Sequence, residues 1–232
     1  MLNLRGIEAL LFDKDGTLFD FHRSWSAWTA EVLDELAAGD LDHAIALGDA
    51  VGFDRAAVRF RPGAPFIAGT LDEVCALLLP HLPGWSAERL RAHAVARAGA
   101  ARMVPPVPLQ PLLAGFRARG LALGVVTNDA EAAARAQLDA AGITAQFALI
   151  LGCDSGPVPK PAPDMLLHGA DHLGLAPARV AMVGDSTHDL LAGRAAGMVT
   201  VAVLTGVAGR AELAPHADLV LGNVGELPGL LG

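Results

Sequence analysis

The sequence predicts an α/β protein: a doubly wound, mostly parallel sheet with an inserted all-helical domain. Five apolar runs of four to six residues support the sheet, at residues 7–12, 121–126, 147–151, 180–183 and 199–204. Such runs lack the polar alternation of a half-exposed strand, which is typical of parallel strands buried on both faces. Ala-rich helical stretches separate the later runs, and strand alternating with helix indicates a parallel sheet.

Each predicted helix of this alternating part ends at a glycine. The helical stretches cover residues 110–119, 130–141, 164–173 and 190–196, and the glycines after them are Gly120, Gly142, Gly174 and Gly197. Glycine is favoured there because it adopts the left-handed conformation that closes the last turn of a helix. These positions support the order of strands and helices in the second half of the chain.

The segment from residue 19 to residue 104 has no convincing buried strand. Its apolar pattern is helical at residues 25–38, 41–51, 71–79 and 87–102, with a break at Pro62, Gly63 and Pro65. The proline-rich segment 104–108 marks the return to the sheet. We therefore predict a core made of residues 1–18 and 105–232, and an inserted helical domain of residues 19–104.

Composition excludes several classes of partner. The 232 residues are 53% hydrophobic, and 25 acidic residues against 17 basic ones give a net charge of −8, without a basic run. This charge pattern argues against binding to nucleic acid or to an anionic membrane. The N-terminal segment does not fit a signal peptide, and apolar stretches are too short for a membrane span. We expect a cytoplasmic monomer or homodimer whose two cysteines are buried.

Polar motifs follow the predicted strands. D-K-D-G-T-L (residues 13–18) follows the first run, and T-N-D (residues 127–129) follows the second. Lys160 and Pro161 come after the third run, and G-D-S-T-H-D (residues 184–189) comes after the fourth. Ligands bind at the carboxyl ends of strands in open α/β sheets, so these four segments are expected to form one site.

With these motifs, the sequence resembles the phosphatase branch of the haloacid dehalogenase-like hydrolase superfamily. The DxDGTL motif, Thr127 at a strand end, Lys160 ahead of a helix and the GDSxxD motif occur in that family's order and span nearly the whole chain. The resemblance implies a Rossmann-like core with a helical cap, as in phosphoglycolate phosphatase-like members. It also implies a hydrolase that acts on a small phosphorylated substrate.

The residue types of these motifs suit phosphoryl transfer. Negative charge must be gathered around phosphorus while a nucleophile approaches in line, so the carboxylates require a cation. Mg²⁺ takes oxygen ligands, and we predict that Asp13 and Asp185 hold it. Asp13 is then the candidate nucleophile, which forms an aspartyl-phosphate. Asp15 is the candidate acid that protonates the leaving oxygen and later the base that activates water.

Further roles are implied by the resemblance. The Thr127 hydroxyl and the backbone N–H of Asn128 bind phosphoryl oxygens. Lys160 neutralises phosphate charge and orients Asp13, and the backbone carbonyl of Asp15 is a third metal ligand. The chain has only two lysines against fifteen arginines, which argues against a merely solvated role for Lys160.

Three residues have two interpretations each. Asp189 is either a second metal-site carboxylate that acts through water, which we favour, or an acid that stabilises a helix N-terminus. Lys14 replaces an apolar residue of the family, and we favour a surface lysine that points away from the site, because successive residues of an extended segment face opposite sides. Arg61, in the inserted domain, either binds a substrate carboxylate or second phosphate, or is solvated.

Within the family, the motifs discriminate between reactions. Release of halide needs no proton donor, so Asp15 disfavours a dehalogenase, and the absence of lysine from residues 19–104 excludes a Schiff-base mechanism there. A phosphomutase of the β-phosphoglucomutase type shares both aspartates and remains an alternative. A non-catalytic phosphate-binding module on the same fold is the second alternative.

Overall fold

The computed structural model describes residues 4–61, 63–68, 71–99 and 101–231. They form two compact units, one made of the chain up to Phe21 together with the chain from Met103 onwards, and one made of His22–Arg102. The domain limits expected from the sequence, at residues 18/19 and 104/105, differ from these limits by two or three residues and stay a prediction. Pro62, part of the predicted helix break, and residue 100, within the predicted helix 87–102, lie outside the described residues.

The described residues contain eight strands and ten α-helices. The strands are β1 (Ala9–Phe12), β2 (Phe53–Asp54), β3 (Arg59–Phe60), β4 (Ala122–Val126), β5 (Leu149–Leu151), β6 (Val180–Gly184), β7 (Val199–Val203) and β8 (Leu219–Leu221). The helices are α1 (Ala27–Leu36), α2 (Leu41–Ala50), α3 (Pro65–Ala68), α4 (Leu71–Leu78), α5 (Ala87–Gly99), α6 (Leu109–Ala118), α7 (Glu131–Ala140), α8 (Asp164–His172), α9 (Thr187–Ala195) and α10 (Arg210–Leu213).

Six strands form a parallel sheet in the order β5-β4-β1-β6-β7-β8. The doubly wound parallel sheet expected from the sequence is confirmed. After β5 the chain crosses to the other side of β1, so the direction of winding reverses at this central strand. Such a reversal is where open α/β sheets bind ligands. Each of the five predicted apolar runs forms a strand of this sheet. The short edge strand β8, which is partly exposed, was not predicted.

The central strand shows why an unbroken apolar run predicts a parallel strand. All four residues of β1 are buried. Leu10 and Phe12 pack into the hydrophobic cluster on one face of the sheet, and Ala9 and Leu11 pack into a separate cluster on the other face. Because successive side chains point to opposite faces, a strand covered by helices on both sides needs apolar residues at every position.

The second unit is helical except for a short ribbon. Phe53 and Asp54 pair antiparallel with Phe60 and Arg59, and the two phenylalanine rings meet edge to face at 4.9 Å. The insertion is therefore not all-helical, as the sequence analysis expected, because it also contains this ribbon. The local sequence explains the turn that joins the two strands. The side chain of Asp54 accepts a hydrogen bond from the backbone N–H of Ala57 at 2.9 Å and so stabilises the turn between the two strands.

Two smaller observations concern the chain as a whole. Within the described ranges, no helix combines the length and the apolar character needed to cross a bilayer. Cys75 is buried as expected, but Cys153 is exposed, because it lies in the loop after β5 rather than in the strand itself.

Candidate active site

The polar segments that the sequence places after the strands meet at the carboxyl edge of the sheet in the first unit. The ammonium group of Lys160 lies 2.8 Å from Oδ1 of Asp13 and 2.6 Å from Oδ1 of Asp189. One carboxylate oxygen from each of Asp13, Asp185 and Asp189 lies within 4.8 Å of the others. The structure thus brings together residues from three motifs that lie far apart in the sequence.

Lys160 is held by three acceptors inside the protein. Its side chain is 2% exposed, and besides the two carboxylates it donates to the backbone carbonyl of Val126 at 2.7 Å. An ammonium group carries three N–H donors, so each has a partner. Burial lowers the pKa of Lys160, but the carboxylates of Asp13 and Asp189 outweigh this effect and raise it above its usual range. Lys160 therefore stays charged.

The backbone of residue 160 is fixed by the side chain of Asn128. Nδ2 of Asn128 donates to the carbonyl of Lys160 at 2.8 Å, and the N–H of Lys160 donates to Oδ1 of Asn128 at 3.1 Å. This pair of hydrogen bonds attaches the loop before α8 to the end of β4. The sequence analysis assigned a role to the backbone N–H of Asn128, but it did not predict that the side-chain amide of this residue binds the backbone of Lys160.

The carboxyl groups of Asp13 and Asp185 are buried close to each other. Burial raises the pKa of Asp13 to about 7, helped by Asp189 and Asp15 and opposed by Lys160. Burial, and then the charges of Asp13 and Asp189, raise the pKa of Asp185 well above its usual range. Three buried carboxyl groups thus lie close to one another, and two of them contact the ammonium group of Lys160. Carboxylate oxygens are the ligands that Mg²⁺ prefers, so this donor set fits a divalent cation.

Glycine makes room for the Asp185 carboxyl group at two places. A Cβ atom on Gly16 would lie 2.2 Å from Oδ2 of Asp185, and one on Gly206 would lie 1.7 Å from the same oxygen. Gly16 also has a φ of +84°, a conformation that other residues rarely adopt. The turn after Asp15 and the loop after β7 therefore both require glycine for the carboxylate to fit.

Asp189 lies both at the N-terminus of a helix and in the carboxylate cluster, the two locations that its alternative interpretations imply. Its Oδ2 accepts from the hydroxyl of Ser186 at 2.6 Å and from the N–H of the same residue at 3.1 Å, in a capping box at the start of α9. Its Oδ1 pairs with Lys160. Asp189 is thus a helix N-terminal acid and also lies in the carboxylate cluster, where it orients Lys160. A water-mediated metal contact by Asp189 stays a prediction.

Lys14 is buried, and the preferred interpretation of a surface lysine is wrong. Its side chain is 0% exposed, and its ammonium group lies 2.5 Å from Oδ2 of Asp15 and 3.3 Å from Oδ2 of Asp129. The alternation argument fails because β1 ends at Phe12 and the chain then turns. The N–H groups of Leu18 and Phe19 both donate to the carbonyl of Lys14, at 3.0 and 3.1 Å.

Thr127 and Asp15 follow the adjacent strands β4 and β1 of the sheet. Thr127 is buried at the end of β4, and its hydroxyl accepts from the N–H of Asp129 at 3.1 Å. The side chain of Asp15 is 22% exposed, more than that of Asp13 at 11%. Their roles toward a phosphoryl group, and the metal contact of the Asp15 carbonyl, stay predictions.

Sequence reasoning missed a fifth polar segment at this edge. Thr205 and Gly206 follow β7, and the hydroxyl of Thr205 donates to the carbonyl of Gly16 at 2.6 Å. The hydrogen bond braces the turn that carries Asp15 against the loop that makes room for Asp185. The signal was present, because a threonine directly after an apolar run also marks the end of β4.

Arg61 lies in the second unit. Its side chain is 48% exposed and its guanidinium group pairs with Asp49, near the end of α2, at 2.5 Å. Trp25 and Trp28, at the start of the same unit, pack edge to face at 5.1 Å. The contribution of Arg61 to substrate binding stays a prediction.

Comparison with known proteins agrees with this arrangement. The sequence pattern of the haloacid dehalogenase-like hydrolases matches residues 7–197. A probable phosphatase named IndB from Dickeya dadantii is 44% identical over 95 residues, which cover 41% of each chain. The phosphoglycolate phosphatase of Neisseria meningitidis is 39% identical over 119 residues, which cover 50% of this chain and 51% of the relative. The chain thus spans about half the length of the curated relatives it matches.

Solved structures extend the likeness over nearly the whole chain. A family hydrolase from Deinococcus radiodurans with bound phosphate and sodium has a TM-score of 0.69 at 23% identity, over 96% of this chain and 93% of that chain. A putative haloacid dehalogenase-like hydrolase from Bacteroides fragilis has a TM-score of 0.68 at 22% identity, over 95% of this chain and 99% of that chain. These matches show a shared fold. The family pattern, which matches residues 7–197, establishes that the chain belongs to the haloacid dehalogenase-like hydrolases.

Proposed function

We propose that the protein is a Mg²⁺-dependent phosphatase that hydrolyses a small phosphomonoester, as phosphoglycolate phosphatases do. The observation that carries the proposal is the buried cluster in which Lys160 contacts Asp13 and Asp189 beside Asp185. Such a cluster concentrates charge at the place where an open α/β sheet binds its ligand. The printed names of the matching relatives, which include phosphatases and phosphoglycolate phosphatases, support the same reaction.

In the first half-reaction, Asp13 is the nucleophile. A bond forms between a carboxylate oxygen of Asp13 and phosphorus while the bond between phosphorus and the leaving oxygen breaks. Lys160 holds the attacking carboxylate in place through its 2.8 Å contact. Asp15 donates its proton to the leaving oxygen, so that an alcohol departs and an aspartyl-phosphate remains. The Thr127 hydroxyl and the Asn128 N–H bind phosphoryl oxygens during the transfer.

In the second half-reaction, Asp15 acts as a base. Its carboxylate takes a proton from a water molecule, whose oxygen forms a bond to phosphorus while the bond between phosphorus and Asp13 breaks. Inorganic phosphate leaves, and the carboxylate of Asp13 and the protonated Asp15 are restored. Asp15 thereby changes from acid to base within one catalytic cycle, while Asp13 is first the nucleophile and then the leaving group.

Asp13 and Asp185 are the residues that would hold Mg²⁺, with the carbonyl of Asp15 and the side chain of Asp189 as further candidates. The bound ion supplies positive charge that reduces the repulsion between these carboxylates and the phosphate. Gly16 and Gly206 leave the space that the Asp185 carboxylate occupies.

The decisive test is a panel of phosphomonoesters assayed with Mg²⁺, in which phosphoglycolate, sugar phosphates and nucleotides are compared by kcat/KM. We expect hydrolysis of at least one ester, lost in excess chelator and in the Asp13→Asn variant. Hydrolysis of none of them by the folded wild-type protein would overturn the proposal. Transfer of phosphate within a sugar, with a requirement for a bisphosphate, would instead indicate a mutase.

The proposal also covers the choice of substrate, the cellular compartment and the oligomeric state of the protein. A carboxylated or bisphosphorylated substrate would use Arg61 of the second unit for its remote anionic group. The predictions of a cytoplasmic monomer or homodimer that binds neither nucleic acid nor membranes belong to this proposal. Sedimentation of the purified protein with and without Mg²⁺ tests the oligomeric state.

A further inference from the structure

We propose that Lys14 is a positioning residue, whose buried ammonium group holds the carboxyl group of Asp15 in the orientation that proton transfer to the leaving oxygen requires. The inference rests on the proposed phosphatase function, in which Asp15 is the acid and the base. Lys14 itself does not reach a substrate, because its side chain is 0% exposed. It acts through the residue that follows it in the chain.

The first support is the geometry around the ammonium group. Nζ of Lys14 lies 2.5 Å from Oδ2 of Asp15 and 3.3 Å from Oδ2 of Asp129, and it donates to Oε1 of Gln137. An ammonium group has three N–H donors, and here three acceptors surround it. The position of the ammonium group is therefore fixed by groups that belong to three different segments.

The second support is that the other two acceptors are themselves anchored. Oδ1 of Asp129, in the connection between β4 and α7, accepts from the N–H of Ala130 at 2.8 Å. Gln137 lies on α7 and is 1% exposed. Lys14 thus connects Asp15 to the segment after β4 and to α7. The carboxyl group of Asp15 is 22% exposed, and its Oδ2 contacts this buried ammonium group.

The third support is the use of lysine in this chain. The sequence contains two lysines, and both are buried beside a carboxylate of the DxD motif: Lys160 beside Asp13, and Lys14 beside Asp15. The chain has fifteen arginines for other positive charges. Lysine carries a compact ammonium group with three donors, which suits three separate acceptors, whereas arginine carries a planar fork. Each of the two DxD carboxylates thus contacts a buried cation.

If Lys14 had a purely structural role, its removal would impair hydrolysis of every ester alike. The dependence of kcat/KM on the leaving group therefore distinguishes a positioning role from a structural one. An aryl phosphate such as para-nitrophenyl phosphate leaves with little need for a proton, whereas an alkyl phosphate needs one. The kcat/KM value reports the steps up to departure of the leaving group, so slow breakdown of the aspartyl-phosphate does not obscure it. Loss of positioning therefore affects the alkyl ester selectively, and general damage affects both esters alike.

The test compares Lys14→Met with wild type on para-nitrophenyl phosphate and on the best alkyl phosphate found for the wild-type protein. We expect kcat/KM for the alkyl ester to fall by about 30-fold and that for the aryl ester by less than about threefold, since misplacing an acid forfeits part of its usual contribution. The inhibition constant of inorganic phosphate should not change. In an Asp15→Asn background, Lys14→Met should cause no further selective loss. Arg135→Met, which removes an exposed cation from α7, is the matched control and should leave both esters unaffected.

Removal of Lys14 leaves Asp15 and Asp129 facing each other, which can prevent folding. The double variant Lys14→Met with Asp129→Asn keeps the local net charge. Gln137→Met removes one acceptor of Lys14 and leaves all the charged side chains in place. Both should show the same selectivity for the alkyl ester, the second more weakly. Equal losses for the two esters in any folded variant, or no loss, would refute the role of Lys14. If the wild-type protein hydrolyses neither ester, the proposed function itself fails, and the two failures are thus distinguishable.

Discussion

The two units of the molecule differ in the burial of the cations that are candidates for a functional role. In the first unit, Lys160 and Lys14 are almost completely buried and contact aspartates of the DxD motif. In the second unit, Arg61 is paired with Asp49 at the surface, with both side chains about half exposed. Exposed pairs contribute roughly 0–1 kcal/mol to stability, whereas removing one partner of a buried pair costs about 3–5 kcal/mol. The buried charges of the first unit therefore support it as the place of the proposed chemistry.

Replacement of the proposed nucleophile should produce the largest effect on activity. Asp13→Asn should abolish turnover, because the amide is similar in shape but a very poor nucleophile. The fold should remain, since the amide removes one of several buried negative charges. Steady-state kinetics and circular dichroism measure the two results. Substantial activity in a folded Asp13→Asn protein would place the nucleophile elsewhere.

Removal of Lys160 should impair both activity and stability. Lys160→Met should lower kcat by about 10³-fold, because the attacking carboxylate loses its orienting cation. It should also lower the free energy of unfolding by about 3 kcal/mol, because the buried carboxylates of Asp13 and Asp189 lose their partner. Urea unfolding gives the second value. An unchanged free energy of unfolding would mean that the cluster does not depend on the ammonium group.

The metal can be tested by a measurement that does not need activity. Mg²⁺ at about 100 times its dissociation constant should stabilise the wild-type protein by about 2.7 kcal/mol, because it binds the folded state alone. Asp185→Asn should remove this shift in the thermal midpoint, and Asp171→Asn, which changes an exposed carboxylate on α8, should retain it. The same shift in wild type and Asp185→Asn would contradict Asp185 as a ligand. Ca²⁺ should bind but inhibit turnover. It accepts more ligands in a more flexible geometry, so it can bind both carboxylate oxygens of Asp13 and leave none for the attack on phosphorus.

The smallest effect is expected in the second unit. Arg61→Ala should reduce kcat/KM for a carboxylated or bisphosphorylated substrate by the equivalent of about 1.5–3 kcal/mol, the scale of a hydrogen bond to a charged group. Turnover of a small ester with a neutral tail, and the thermal midpoint, should barely change. Arg59→Ala, in β3, is the matched control. Equal losses for both kinds of ester would make Arg61 a structural residue.

The sequence predicted the core of the molecule because its signals are local. An apolar run such as β1 shows directly that both faces of a strand are covered, and a polar motif at its end places that motif at the edge of the sheet. The proximity of Asp13, Lys160 and Asp189 followed from this rule once the strands were placed. The same rule did not reveal Thr205, although the signal was there.

The contacts that the sequence did not predict are long-range or depend on a turn. Asn128 binds the backbone of residue 160, 32 positions away, and Lys14 meets Gln137, 123 positions away. A local pattern contains no information on such pairs. The error at Lys14 came from extending the alternation of a strand into a segment that had already turned. The ribbon of β2 and β3 was missed because strands of two residues have no period to detect.

The central claim is that the carboxylate of Asp13 becomes phosphorylated, and trapping the phosphoenzyme tests it most directly. Wild-type protein is mixed with a radiolabelled phosphomonoester and Mg²⁺, denatured during turnover, digested, and the labelled peptide is identified by mass spectrometry. We predict that the label is on Asp13, that it is released by hydroxylamine as expected for an acyl phosphate, and that it is absent from Asp13→Asn. Label on a serine or a histidine, or turnover that passes through no labelled protein, would contradict the account.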